Sequence, residues 1–209
     1  MNNLIHIISI IASLISIVVS ILVYFGIIRY IKLYMSKTVD KYVEKYIDLP
    51  LASEKRVVVV LSVQNEDELK SIIPTVNSLL DQTVRVNQLF LVLPIDSDFE
   101  VPENLTKVLS VVKPGKVYDD KYQDIISILQ REKEKDTFII KVSNGIIYGN
   151  EFIENVIETS EANPDSVIKD SSNSFLLVKS DLVILDDDSK FSNFKNGIKD
   201  MIYREHFKY

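Results

Sequence analysis

The sequence predicts an α/β protein with a mostly parallel sheet and flanking helices, preceded by a single N-terminal transmembrane helix. Three observations carry this prediction. A long apolar run fills residues 4–28, and from residue 56 onward short apolar runs alternate with segments of helical periodicity. Between residues 138 and 164 a strand, a turn and a helix follow one another. Alternating strands and helices are typical of parallel sheets with right-handed crossovers.

Composition excludes several classes of site. The 209 residues include no cysteine, so a disulfide framework and a thiolate metal site are both excluded. The only histidines, His6 and His206, stand at opposite ends of the chain, which argues against a histidine metal cluster or a Ser/His/Asp triad. Residues 1–49 carry five Lys/Arg and three Asp/Glu, a net charge of +2. Because the whole chain has a net charge of −6, residues 50–209 carry −8. So acidic a domain is a poor partner for nucleic acid.

The first 29 residues are predicted to be a membrane anchor. Leu4–Ile28 is apolar apart from His6 and four serines and contains no Asp, Glu, Lys or Arg. About 20 such residues cross the hydrocarbon core as a helix. A cleavable signal peptide is the alternative, but the apolar run is longer than a signal sequence needs and no basic segment precedes it. We therefore expect a single-pass membrane protein that contacts the bilayer through residues 4–28.

The charges after this segment predict its orientation. Five basic residues follow it within about one helix length: Arg29, Lys32, Lys37, Lys41 and Lys45. Such residues favour the cytoplasmic side of a membrane. The soluble domain is therefore expected in the cytoplasm, and a luminal domain is the alternative.

Residues 30–50 are predicted to form a juxtamembrane stalk helix. Met35, Val39, Val43 and Ile47 recur every four residues, and Pro50 ends the segment because a proline disfavours helix in the residue before it. One interpretation is a solvated stalk. The other is an amphipathic helix that lies on the membrane or pairs with a protein partner.

Residues 51–209 are predicted to form the α/β domain. The run 56–63 indicates a strand buried on both faces, Asn65 and Glu68 have capping-box spacing, and Pro74 is expected to begin a new helical turn. The remaining predicted elements are strands at 88–93, 107–112 and 138–142, helices at 124–131 and from Phe152, a solvated charge run at 131–136, and stops at 143–145 and 163–164.

Several phrases in this domain resemble nucleotide-diphospho-sugar transferases of the GT-A fold, specifically small glycosyltransferase-like proteins of the family 2 type. The resemblance covers residues 56–168 in the family's order. The phrases are the strand Val57–Val63, Ile73-Pro-Thr-Val-Asn-Ser-Leu-Leu-Asp-Gln-Thr83, Leu89-Phe-Leu-Val-Leu-Pro94 and the unit Ile139–Pro164. It implies a nucleotide-sugar site at the carboxyl ends of the strands. By the same analogy the base and ribose would lie at Ser62, Gln64, Asn65 and Glu66.

The resemblance also shows where this chain departs from the family. Active members carry acidic residues of the DxD type after the strand that here ends at Val142, since a carboxylate-held divalent cation stabilises the leaving diphosphate. Those positions are Ser143, Asn144 and Gly145, and an upstream lysine is matched by the acidic stretch Asp120–Asp124. Both changes remove affinity for an anionic, metal-bound donor. The resemblance therefore implies a degenerate site, at which Mn²⁺ or Mg²⁺ would be expected only if the protein is active.

Three functional hypotheses follow. The favoured one is a catalytically degenerate, membrane-anchored binding or scaffolding module. The first alternative is an active glycosyltransferase for a UDP- or GDP-sugar, in which Asp186 and Asp188 hold Mn²⁺ or Mg²⁺; those acids are otherwise a polar turn before a helix near Phe191. The second alternative is a structural membrane protein that assembles through its anchor and stalk. The segment up to Tyr209 is short for an acceptor-binding half, so we expect a domain truncated on that side.

Overall fold

The computed structural model describes residues 2–24, 26–115, 123–132, 134, 136–164, 166–170, 174–179 and 202–205. The chain divides into two compact units, residues 1–36 and 37–209. Several predicted features lie outside the described residues. They are the acids Asp186 and Asp188, the helix near Phe191, and Asp120–Tyr122.

The first unit consists of two helices, α1 (Asn2–Tyr24) and α2 (Ile27–Met35), separated at Gly26, whose φ of 67° suits glycine. Within the described residues, one segment is long and apolar enough to cross a membrane, Ile5–Val23 of α1, with a mean hydropathy of 2.6. Its large apolar side chains are exposed all around the helix. The Ser13 and Ser20 hydroxyls donate to the carbonyls of Ser9 and Ser16, at 2.9 and 2.8 Å, which satisfies them inside the helix.

The described residues of the second unit form one seven-stranded sheet. Its strands are β1 (Val57–Ser62), β2 (Gln88–Val92), β3 (Leu109–Val112), β4 (Phe138–Val142), β5 (Val167–Asp170), β6 (Phe175–Lys179) and β7 (Ile202–Glu205). Their order is β3-β2-β1-β4-β6-β5-β7. The pairs β3–β2, β2–β1, β1–β4 and β5–β7 are parallel, whereas β6 is antiparallel to both β4 and β5. The predicted α/β class with a mostly parallel sheet is confirmed.

Helices cover both faces of this sheet. They are α3 (Asp40–Ile47), α4 (Glu66–Ser71), α5 (Ile73–Leu80), α6 (Glu103–Thr106), α7 (Gln123–Leu129) and α8 (Phe152–Ala162). Val57, Val59 and Leu61 of β1 share one buried cluster with apolar residues of α5 and α8. Val58 and Val60 share the other with isoleucines of α7. The four-valine run of β1 is therefore buried on both faces, as predicted for a central parallel strand.

The predicted single stalk helix over residues 30–50 is wrong, because the chain forms α2 and α3 with residues 36–39 between them. Helix α3 belongs to the second unit. Val39, before its first turn, is fully buried in the core, and the backbone N–H of Val86 donates to the Tyr46 hydroxyl at 2.8 Å. The predicted boundary at residue 50 thus falls inside the second unit. A periodic row of apolar residues indicates that one face of a helix is buried, but it does not show which element buries that face.

Because Tyr46 is buried in this contact, the stability of the second unit is expected to fall at alkaline pH. Burial raises the pKa of Tyr46 from 10.0 to about 12, against the lowering effect of the Val86 hydrogen bond and the charge of Arg85. As the pH rises from 10 towards about 12, Tyr46 loses its proton in the unfolded chain before it does so in the folded chain. The free energy of unfolding therefore falls through this interval. The loss should reach about 1.4 kcal/mol near pH 11.

The test compares urea unfolding of the parent chain with that of Tyr46→Phe across this range. Near neutral pH the variant should be less stable by about 1 kcal/mol, since the Val86 N–H loses its acceptor. Near pH 11 the two chains should be about equally stable, because phenylalanine has no proton to lose. A stability difference that does not change with pH would contradict this prediction.

The charge run at 131–136 was predicted to be solvated, and this is wrong for Glu132. Its side chain is only 8% exposed and forms two charge-assisted hydrogen bonds with Arg56, Nε to Oε2 at 2.7 Å and Nη2 to Oε1 at 3.1 Å. The hydrogen bond to Glu132 raises the pKa of the Arg56 guanidinium. A glutamate is buried when a cation reaches it, and the partner here is 76 residues away in sequence.

The phrase Ser78–Thr83 fastens α5 to the segment that leads into α8. Gln82 is 2% exposed; its Nε2 donates to the carbonyls of Ser78 and Gly149, each at 2.7 Å, and its Oε1 accepts from the N–H of Ile153 at 3.1 Å. The Thr83 hydroxyl donates to Glu154 Oε2 at 2.8 Å. Because the N-cap residue of α8 makes no side-chain cap, Gln82 supplies that acceptor from another element.

Candidate functional site

The predicted site residues that the structure describes lie at the carboxyl edge of the sheet. Ser62 ends β1, and Ser143 follows β4, which runs parallel to β1 with Leu61 paired to Val142. Gln64, Asn65 and Glu66 form the loop after β1 and the start of α4. The two predicted groups, 62–66 and 143–145, are thus brought to the same edge. This edge is where ligands bind in open α/β sheets.

The neutral turn 143–145 is held by hydrogen bonds to three other elements. The N–H of Ser143 donates to the carbonyl of Ser174 at 2.9 Å, beside the start of β6. Asn144 Nδ2 donates to the carbonyl of Glu68 in α4 at 3.1 Å. The N–H of Gly145 donates to Thr75 Oγ1 in α5 at 3.1 Å and to Asn144 Oδ1 at 2.8 Å. The polar groups of this turn therefore serve to join α4, α5 and β6.

Tyr148 also holds the turn 143–145 in place through hydrogen bonds. Its side chain is fully buried, and its hydroxyl donates to the carbonyl of Ser174 at 2.7 Å while accepting from the N–H of Ser143 at 2.9 Å. The ring packs on Phe152 with the centroids 4.4 Å apart. Sequence reasoning assigned no role to Tyr148. Its signal was a tyrosine between aliphatic residues and a glycine, since a buried tyrosine needs a partner for its hydroxyl.

The loop after β1 forms the N-terminal cap of α4. Asn65 Oδ1 accepts from the N–H of Glu68 at 2.9 Å, and Glu68 Oε2 accepts from the N–H of Gln64 at 2.8 Å. The predicted capping pair is confirmed, with the glutamate reaching one residue beyond the N-cap. Glu66 pairs with Lys70 at 3.0 Å, and both side chains are exposed. The Glu68 carboxylate is thus engaged by the loop before α4, and the Glu66 carboxylate by a lysine within α4.

A charged pair lies two residues before the neutral turn, at Lys141. Lys141 of β4 places its Nζ 2.8 Å from Asp124 Oδ2 and 2.9 Å from Oδ1, with the lysine side chain 26% and the aspartate side chain 7% exposed. Asp124 Oδ1 also accepts from the N–H of Ile125 at 2.9 Å. Asp124 belongs to the stretch that the resemblance matched to a substrate-binding lysine. In this chain an acid stands there, and it binds a lysine from the adjacent strand.

The residues present at this turn do not fit a divalent cation of the kind that assists sugar transfer. Such an ion prefers several hard oxygen ligands, including carboxylates. Residues 143–145 contribute no carboxylate, and the Asn144 amide oxygen already accepts a hydrogen bond. Within the described part of the chain, no three His, Cys, Asp or Glu side chains are grouped so as to hold a metal ion.

Replacing Gly145 is expected to destabilise the turn by backbone strain alone. Gly145 has a φ of 81°, and a Cβ added there would meet no atom within 4 Å. An L-residue in this left-handed region costs about 1 kcal/mol or slightly more. Gly145→Ala should therefore lower the free energy of unfolding by that amount in urea titrations. The same strain opposes an acidic residue at this position.

Gly115→Ala is the matched control, since Gly115 also has open space around its Cα but no positive φ. That variant should be neutral, or more stable by a few tenths of a kcal/mol. Equal losses in the two variants would contradict the strain argument.

No protein-family model matches the sequence, and no curated protein matches it. The chain is similar to several solved structures. Against 4-diphosphocytidyl-2C-methyl-D-erythritol synthase from Anaerococcus prevotii the identity is 9% and the TM-score 0.48, covering 75% of this chain and 91% of the other. Against the mannosyltransferase PcManGT from Pyrobaculum calidifontis, solved with GDP-Man and Mn²⁺, the identity is 13% and the TM-score 0.45.

The mannosyltransferase match covers 78% of this chain but only 55% of that protein, so this chain spans about half its length. A proposed nucleotide-diphospho-sugar transferase from Desulfovibrio desulfuricans G20 matches with 9% identity and a TM-score of 0.46, over 73% of this chain and 80% of the other. Nucleotide-sugar enzymes, the class that the sequence phrases resemble, are thus among these structures. At such identities and TM-scores the chemistry has to be argued from this chain's own residues.

Proposed function

We propose that this chain is a membrane-anchored, glycosyltransferase-like protein that does not transfer sugar and acts as a binding or scaffolding module. Its soluble domain keeps the sheet and the edge at which a sugar nucleotide would bind. Its turn after β4, Ser143-Asn144-Gly145, lacks the carboxylates that metal-assisted transfer uses. We propose an anchor within residues 1–29, a juxtamembrane segment that ends with α2, and an α/β domain that includes α3 together with residues 51–209.

The observation that carries this proposal is the neutral turn at Ser143-Asn144-Gly145. In a metal-dependent transferase of this type, the turn carries the carboxylates that hold the cation against the diphosphate. Here its N–H and amide groups are engaged by Ser174, Glu68 and Thr75. A turn used to connect three elements supports a structural role for residues that would otherwise bind the cation.

The Lys141–Asp124 pair supports the same conclusion. A lysine that binds a diphosphate has to be available to it, and the Lys141 ammonium is within 3 Å of both oxygens of one aspartate. If a nucleotide does bind, we propose that its base and ribose lie at Ser62, Gln64, Asn65 and Glu66. Recognition there would be neutral in character and independent of metal.

Anchoring in the membrane is the other half of the proposal. Helix α1 is apolar around its whole circumference, and the hydroxyls of Ser13 and Ser20 are satisfied within the helix, as lipid exposure requires. The five basic residues from Arg29 to Lys45 favour a cytoplasmic domain. A protein partner would be recruited to that membrane surface.

The test uses the full chain in lipid nanodiscs with UDP- and GDP-sugars, with and without Mn²⁺. Release of UDP or GDP and the melting temperature of the domain are both measured. We expect no metal-dependent nucleotide release. A ligand at a hundredfold excess over its Kd stabilises a folded protein by about 2.7 kcal/mol, so binding without turnover is detectable as a shift in melting temperature.

Each outcome bears on one hypothesis. Metal-dependent release of UDP or GDP that Asp186→Ala or Asp188→Ala abolishes would overturn the proposal and support the displaced acidic site. A metal-independent stabilisation that Gln64→Ala reduces would support a nucleotide-binding module. No stabilisation by any donor would support a scaffold that binds protein alone.

A further inference from the structure

Helix α2 has an exposed apolar face. Five apolar or aromatic residues at positions i, i+3, i+4, i+7 and i+8 form it, and their side chains are 38% to 72% exposed: Ile27, Tyr30, Ile31, Tyr34 and Met35. Leu33, on a different side of the helix, is only 1% exposed. A helix on the surface of a soluble domain turns its polar side outward. These five residues, the α2 apolar face, therefore suit a neighbour other than water.

The position of α2 in the chain indicates which neighbour this is. The apolar segment of α1 ends at Val23, and α2 begins at Ile27. Four residues reach at most about 14 Å. The interfacial zone on each side of the hydrocarbon core is about 5–8 Å thick. If α1 spans the bilayer, connectivity alone keeps the first turn of α2 in or beside the headgroups.

The chemistry of α2 fits this interface. Tyr30 and Tyr34 stack on each other, with ring centroids 6.3 Å apart and an interplanar angle of 6°. Tyrosine is enriched at the level of the headgroups, where its ring is in apolar surroundings and its hydroxyl is hydrated. Lys32 is exposed, lies one turn before Met35, and can extend to phosphate from the edge of the face. No Asp or Glu precedes Asp40 in the sequence. The segment is therefore purely cationic, which complements an anionic lipid surface.

We propose that α2 is an interfacial helix that places its apolar face among the acyl chains and binds anionic phospholipid headgroups through Lys32. The proposal rests on the membrane anchoring proposed above. It assigns to the juxtamembrane segment a lipid-binding role that is independent of the carboxyl edge of the sheet.

The experiment uses the absence of tryptophan from the chain. Three full-length variants each carry one reporter: Tyr34→Trp in α2, Val18→Trp in α1, and Val111→Trp at the exposed edge strand β3 as an aqueous control. Each is reconstituted into vesicles of equimolar phosphatidylcholine and phosphatidylglycerol. Fluorescence is quenched with phospholipids brominated on their acyl chains and, separately, with aqueous acrylamide.

We expect brominated lipid to quench Val18→Trp and Tyr34→Trp but not Val111→Trp, and acrylamide to quench Val111→Trp most strongly. Quenching of Val18→Trp without Tyr34→Trp would overturn the interfacial helix and leave the anchor intact. Absence of quenching in both would overturn the anchor itself. Protection of Tyr34→Trp from both quenchers would overturn lipid as the occupant and favour a second copy or a protein partner.

A second arm tests the charge contribution. Lys32→Gln in the Tyr34→Trp background removes one basic side chain and none of the apolar face. Loss of one such charge near an anionic membrane weakens association about fivefold. Relative to Tyr34→Trp alone, quenching by brominated lipid should therefore decrease, and quenching by acrylamide should increase, in vesicles that contain phosphatidylglycerol. In pure phosphatidylcholine neither should change. An equal effect in both vesicles would overturn recognition of the anionic headgroup.

Discussion

Lys141→Met is expected to lower the free energy of unfolding of the domain by about 3 kcal/mol. The substitution removes the only cation that contacts Asp124 among the ion pairs of the described residues, and the aspartate side chain is 7% exposed. A carboxylate left unpaired at such burial keeps its desolvation cost without the attraction that offset it. The estimate is at the lower end of the usual range because Lys141 itself is 26% exposed. Urea unfolding of the full chain in detergent, followed by circular dichroism, measures the loss.

Lys107→Met provides the matched control for this prediction. Lys107 pairs with Asp40 at 3.7 Å, and both side chains are more than half exposed, so its removal should cost less than about 1 kcal/mol. The double variant Asp124→Asn, Lys141→Met should recover most of the stability, because asparagine keeps an acceptor for the Ile125 N–H without a charge. Similar losses for Lys141→Met and Lys107→Met would show that burial does not govern the pair.

The elements that could be predicted from sequence are those whose cause is local. The β-branched run Val57–Val60 has no polar face, so it had to be a strand covered on both sides. Asn65 and Glu68 can reach each other across one turn whatever the rest of the fold does, and they do. Pro74 is placed near the start of α5, where its missing N–H has no helical partner to lose.

The features that could not be predicted depend on residues far apart in sequence. Glu132 was expected in solvent because residues 131–136 are all charged. Its partner Arg56 lies 76 residues away in sequence, and the fold brings the two side chains together. The periodic row from Met35 to Ile47 was interpreted as one helix, since periodicity continues across residues 36–39 where the backbone does not remain helical.

At the candidate site, sequence predicted the position of the residues after β1 and β4, but it did not predict the hydrogen bonds that they form inside the fold. Ser143, Asn144 and Gly145 were predicted from their place after β4, and the absence of charge was evident from sequence. That Asn144 binds Glu68 and Gly145 binds Thr75 requires α4 and α5 to approach the turn, contacts that span 76 and 70 residues. Asp186 and Asp188 stay a prediction.

Gln82→Leu is expected to cost about 3 kcal/mol, because it removes the side chain that joins α5 to α8. Leucine has a similar volume, so little cavity is created and the loss is mainly of hydrogen bonds. The Ile153 N–H, in the first turn of α8, is left without its acceptor, and Gly149 loses one of its two donors. The Glu151 N-cap makes no side-chain bond, so it does not compensate. Urea unfolding of the full chain in detergent measures this change as well.

Gln64→Leu makes the same chemical change at an exposed loop position and should alter stability by no more than about 0.5 kcal/mol. The difference between the two variants isolates burial of the amide. The Gln82→Leu loss should also include earlier hydrogen exchange at the N–H groups of Ile153 and its neighbours, since α8 loses the acceptor at its start. If exchange of α8 is unchanged while stability falls, the Gln82 amide acts within α5 alone. The proposed role of Gln82 in joining α5 to α8 would then be wrong.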